Sequence, residues 1–209
     1  MKRKRGGFLM ALGALLLTAA LGLAAWNLYE GYRAEQTSTT VVQQLHTVVP
    51  DTPVQPTTPT LPDSTGSGEV EIPDYILAPD MEMPTVTVDG RKYIGTLALP
   101  SLGLEFPIVS RWSYDALLDS PCRYTGSAYS GDLVLAAHNY NSHFGKLKNL
   151  HQGDRVIFTD VDGNVFTYEV AVKETLRPTA VEEMTSGQWP LTLFTCTIGG
   201  SYRVTIRCE

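Results

Sequence analysis

Cys196 closes the apolar run Leu191 to Cys196 and is followed at once by Thr197-Ile-Gly-Gly-Ser201, a loop-forming stretch. A thiol at a strand end is held by the sheet yet open on one side, which is what a sulfur nucleophile requires. His138 occupies the same kind of position, after the apolar run Leu133 to Ala137 and before the polar Asn139 to His143. An imidazole beside a thiol can take its proton on attack and return it to a leaving amine. Of the other histidines, His46 lies in a polar tract, and His143 and His151 flank a short amphipathic segment where surface positions are expected. No two of them have the spacing to build a metal site with the cysteines, so zinc is a poor reading. Acyl transfer also needs a cation or donors where the oxyanion develops. In an antiparallel hairpin of 191–196 with 202–208, Arg203 falls opposite Cys196 or Thr195, depending on register. Arg207 is four residues farther on, ~13 Å along a strand, and reads as a salt-bridging side chain.

These residues need a sheet to hold them. Beyond Ile72 the sequence alternates β-branched and polar residues, cut by Gly, Pro and Asp, which predicts one β-rich domain over 73–209. Strands are expected over 92–98, 105–109, 132–137, 155–159, 165–175, 191–196 and 202–208. Asp162-Gly163 marks a hairpin turn between two of them. Short helices fit 114–118, 144–150 and 180–186. Many antiparallel strands with few short helices predict a closed or partly closed barrel.

The N-terminal third has a different character. Lys2 to Arg5 form a basic tip within residues 1–7, and residues 8–28 carry no charge, long enough to cross a ~30 Å hydrocarbon layer. The segment reads as a transmembrane anchor, with a cleaved signal peptide as the competing reading. The positive-inside rule puts the tip in the cytoplasm and the domain outside. Residues 29–72, rich in Thr, Gln, Ser and Pro, are expected to be a disordered stalk, extended where Pro50, Pro53, Pro56, Pro59 and Pro62 recur. The tip takes four of the sixteen basic side chains and leaves twelve against twenty-two acids, which argues against a nucleic-acid partner. Three cysteines leave at least one free thiol; Cys122 and Cys208 are the natural pair if any forms, and two buried reduced thiols are the alternative.

Taken together, T-L-F-T-C at Thr192 to Cys196, L-A-A-H at Leu135 to His138 and Y-R-V-T-I-R at Tyr202 to Arg207 resemble, in order and spacing, three signature segments of the sortases. Tyr93 to Pro100 and Glu105 to Val109 look like the opening strands of that fold. The resemblance implies an eight-stranded β-barrel cysteine transpeptidase with Cys196 as nucleophile, His138 as proton carrier, Arg203 beside the oxyanion and Thr195 at the substrate. The implied partners are a C-terminal sorting-signal peptide of surface proteins or pilins and an amine acceptor, a cell-wall precursor or a pilin lysine. No cofactor is implied, although some members bind calcium. The His-Asn pair and Phe144-Gly145 are similar to class B members, while Ile198 departs from them, so the subclass stays open. An L,D-transpeptidase would place Gly before the cysteine, where Thr195 stands. A stalked surface-binding module with a structural cysteine is the non-enzymatic alternative.

Overall fold

The computed structural model describes residues 2–48 and 72–209. The strands in chain order are β1 (Val86–Val88), β2 (Arg91–Leu99), β3 (Leu104–Val109), β4 (Cys122–Thr125), β5 (Leu133–Ala137), β6 (Arg155–Asp160), β7 (Val165–Leu176), β8 (Leu191–Cys196) and β9 (Arg203–Cys208). Their sheet order is β1-β2-β3-β4-β5-β8-β9-β7-β6, and β2 also pairs with β6. That last pairing closes β2 to β9 into the expected eight-stranded barrel, with β1 as a short edge strand laid on the first residues of β2. Closure leaves few unpaired backbone groups.

Gly95 makes the closure possible. It sits at the register shift where β2 exchanges β1 for β6 as its neighbour, at a φ of 150°. A Cβ there would run into the Thr159 carbonyl oxygen, so the two backbones meet only because the side chain is missing. The barrel interior is filled by buried apolar residues of neighbouring strands, among them Ile94, Leu97, Phe106, Leu135, Phe158, Leu193 and Ile206. Asp162-Gly163 lies in the β6-β7 turn as expected. Buried Asp160 ties that turn together by accepting from the Asp162 and Asn164 backbone amides and from the Asn164 side chain.

Two strands lay outside the sequence reading. β1 is only three residues long, and β4 follows Pro121 in what reads as a turn; its Cys122 pairs with Val109 in a single parallel register step. Among the described residues, four α-helices accompany the barrel: α1 (Lys2–Val48), α2 (Asp74–Leu77), α3 (Tyr114–Asp119) and α4 (Val181–Met184). Ser113 caps α3 by accepting from the Ala116 amide at 3.0 Å. Residues Phe144–Asn149 form 3-10 turns.

The expectation for the stalk is corrected over 29–48. α1 runs unbroken through this stretch, and its last turns dock on the barrel. Val41 and Leu45, four residues apart on one helix face, are buried with Tyr93, Val109, Ala116 and Cys122. Arg33 donates to Asp119 at 3.1 Å. Burial of that face offsets the poor helix propensity of Thr37 to Val42. The proline-rich part of the expected stalk, with Pro50 to Pro62, lies outside the described residues. At the other end, Leu9 to Leu28 are exposed along an apolar helix long enough to cross a membrane.

Candidate active site

β5 and β8 run parallel, in register from Leu133 opposite Leu191 to Ala137 opposite Thr195. The next residue of each chain is therefore His138 and Cys196, leaving neighbouring strands at the same end. β8 then pairs antiparallel with β9, and Cys196 stands directly opposite Arg203. Of the two registers open from sequence, this is the one that aligns the arginine with the thiol. All three side chains line one cleft of about 260 Å³ at the barrel rim.

Thr195 fixes the junction. Its buried hydroxyl donates to the Ala137 carbonyl at 2.8 Å, tying β8 to β5 one residue before Cys196 and His138. Across the loop that follows, Thr197 and Tyr202 are joined through their backbones at 2.9 Å, and Asn139 reaches the Thr197 carbonyl at 3.4 Å. One Arg203 nitrogen, Nη1, donates to the carbonyls of Gly200 at 3.0 Å and Tyr202 at 3.1 Å. That holds the guanidinium at the cleft edge while Nε and Nη2 remain able to donate elsewhere.

Burial lowers the His138 pKa from its ordinary 6.5, so at neutral pH the imidazole is uncharged and can accept a thiol proton. The ring leans on Tyr140, 5.1 Å between centroids, and Tyr140 leans in turn on His143 at 5.5 Å. The backbone closes around this stack through Phe144 N to His138 O at 3.1 Å and Gly145 N to Tyr140 O at 2.9 Å. A Cβ at Gly145 would collide with the Asn139 and Tyr140 carbonyls.

His143 corrects the surface assignment made from sequence: it is fully buried. Its Nε2 lies 3.3 Å from the Asp119 carbonyl, and burial pushes its pKa down to about 4. Between that value and about 6.5 the unfolded chain binds a proton that the folded chain refuses, so stability falls as pH drops through this window. Going from pH 7 to pH 5, His143 should remove about 2 kcal/mol. Urea titrations at the two pH values should show wild type losing about that much more than His143→Phe; equal losses would mean that His143 is protonated in the fold. His151 is exposed, in line with its sequence reading.

Cys122 and Cys208 are both reduced and buried, each with its pKa raised to about 12 by desolvation. They belong to different apolar clusters, so no disulfide joins them. Cys196 is the partly exposed thiol. Arg207 is structural: it is buried, pairs with Glu174 at 2.8 Å and donates to the Glu183 and Met184 carbonyls and the Thr192 hydroxyl.

The rest of the cleft wall was not read from sequence. Trp112 stacks on Tyr124 at 5.9 Å with the planes 11° apart, and Tyr124 meets the edge of Phe194 at 5.4 Å. Leu117 of α3 and Val181 and Met184 of α4 complete an apolar trough leading to the thiol. Apart from Phe194, which lies in the T-L-F-T-C segment, these residues carry no motif; their only sequence signal is an excess of aromatic residues in segments with no core periodicity.

Comparison with known proteins follows the same lines. Residues 97–209, more than half of the chain, match the family model for the Sortase domain. Sortase A of Bacillus anthracis is 26% identical over 182 residues, 80% of this chain and 77% of that protein. Among solved structures, sortase A from Corynebacterium diphtheriae superposes with a TM-score of 0.52 at 21% identity, over 57% of this chain and 60% of that one, and its lid mutant with a TM-score of 0.50 at 20% identity. With its motifs on a closed eight-stranded barrel of this kind, the chain belongs to the sortase family of cysteine transpeptidases.

Proposed function

We propose that this sortase is anchored in the cell membrane by residues 8–28, with its basic tip in the cytoplasm and its barrel outside. There it would cut a C-terminal sorting signal of surface proteins or pilins and pass the acyl group to an amine. The observation that supports this reading most is the convergence of Cys196, His138 and Arg203 at the end of one apolar trough. The Cys196 thiol loses its proton to His138 and attacks the scissile carbonyl; Arg203 donates to the oxygen as negative charge builds on it. His138 then protonates the departing amine, leaving a thioester. An incoming amine, from a cell-wall precursor or a pilin lysine, reverses the sequence and releases the product. Thr195 acts by position in this scheme, since its hydroxyl proton is committed to Ala137.

The test uses the full-length chain in detergent and a fluorogenic peptide library built on LPxTG-like motifs. Cleavage should be accompanied by an acyl adduct on Cys196 that hydroxylamine releases. A complete absence of cleavage and adduct across the library would refute the reading. Protease added to intact protoplasts should reach the barrel; full protection would reverse the proposed orientation.

A further inference from the structure

The cleft is a cationic spot on an acidic molecule. The whole chain carries a formal charge of −6, yet no Asp or Glu lines the trough, while both Arg203 and Arg177 do. Arg203 is partly occupied by main-chain carbonyls. The Arg177 side chain makes no hydrogen bond or ion pair with any described residue. Its backbone is nevertheless fixed, because Ala180 N donates to the Arg177 carbonyl at 3.1 Å and Pro178 follows it. An anchored backbone thus carries, at the mouth of an apolar trough, a guanidinium with no partner among the described residues.

The register says how far this charge lies from the chemistry. Cys196 on β8 faces Arg203 on β9, and Arg203 faces Leu176 on β7. Arg177 is the next residue, about two strand spacings or ~10 Å from the thiol's backbone. An extended peptide advances ~3.3 Å per residue, so a group beside Arg177 sits within about three residues of the bond being cut. A planar fork of N–H donors with no counter-ion among the described residues matches a carboxylate, which it can hold in two parallel hydrogen bonds.

We infer that Arg177 is a specificity determinant that selects a carboxylate close to the reacting bond, carried by the sorting peptide or by the amine acceptor. The inference deepens the proposed function and rests on it for the identity of the ligand's bearer, while the charge effect itself can be read without turnover.

The first measurement is therefore alkylation of Cys196 in the full-length chain in detergent at low ionic strength, followed by mass mapping. The ratio of the iodoacetate rate to the iodoacetamide rate should fall about threefold or more in Arg177→Gln and further in Arg177→Glu. The difference should vanish in high salt, where exposed charges are screened. An unchanged ratio overturns the inference, whatever the peptide experiments give. The second measurement compares kcat/KM for Glu and Gln at each of the three positions on either side of the cut. It also compares the ratio of transfer to hydrolysis for a glycine peptide and its C-terminal amide. A preference for the charged form of about tenfold, lost in Arg177→Gln, is expected in one of these arms and assigns the carboxylate to peptide or acceptor. A preference in neither arm, or one that survives Arg177→Gln, overturns the inference. If wild type cleaves no peptide, the functional reading falls, and the alkylation ratio still decides whether Arg177 attracts anions to the cleft.

Discussion

Cys196→Ala should abolish both cleavage and the trapped thioester, and His138→Ala should stop turnover, because each removes an atom that the proposed chemistry moves. Arg203→Lys is the more informative change. It keeps the positive charge and the thiol but loses the planar fork, so the nitrogen that now binds Gly200 and Tyr202 can no longer hold the group in place while others donate to the oxyanion. A loss on the order of 10²-fold in kcat/KM is expected, by analogy with deletion of an oxyanion donor. Arg207→Lys should behave in the opposite way. Its several buried donors hold Glu174, the Thr192 hydroxyl and the carbonyls of α4, so the change should cost about 3 kcal/mol of stability while the folded fraction keeps its rate. The measurement is peptide cleavage normalised to folded protein, with unfolding followed by urea titration. An active Arg203→Lys beside a dead but folded Arg207→Lys would exchange the two assignments.

The second large effect is expected at a distance from the cleft. Val41→Asp with Leu45→Asp should lower stability by at least about 4 kcal/mol, since each side chain gives up burial worth about 2 kcal/mol and a carboxylate enters an apolar site. The loss should also reach activity. Val41 and Leu45 pack in the cluster that Trp112 and Leu117 flank, and those two residues wall the trough. Arg33 and Arg91 join in through Asp119 at the end of α3, at 3.1 and 2.6 Å. The double variant should therefore lose Trp112 packing and cleavage together, as judged by near-ultraviolet circular dichroism and kcat/KM. Leu45→Met, which conserves volume, should stay near wild type. Full activity in the double aspartate variant would mean that α1 is only a tether.

The region around α1 shows where the sequence is hardest to read. Thr37 to Val42 are weak helix formers set among glutamines and threonines, and the only sign of order is Val41 and Leu45 four residues apart. Their burial depends on partners, Tyr93 and Val109, that arrive about fifty to seventy residues later, so the tertiary contact overrides the local composition. His143 is a similar case: the run Asn139 to His143 is polar and looks exposed, yet the turn folds inward because Gly145 lets the backbone approach. By contrast, the juxtaposition of His138 and Cys196 is legible because each stands at the end of a strongly apolar strand, where the change in pattern is clearest. Even there the sequence left two registers for the last hairpin, and only the pairing of Cys196 with Arg203 separates them. The aromatic wall belongs to no repeating pattern and became visible only once α3, β4 and β8 met.

The parallel pairing of β5 with β8 has a kinetic corollary. His138 and Cys196 are far apart along the chain and meet only when β8 docks, and the barrel itself closes through β2 with β6, another pairing of high sequence separation. Such contacts pay their loop-closure entropy before they are rewarded, which places a barrel of this kind among slow folders, in the millisecond to second range. Nascent chains with exposed β5 and β8 edges are expected to pass through an aggregation-prone interval, which ends when the two strands pair from Leu133–Leu191 to Ala137–Thr195.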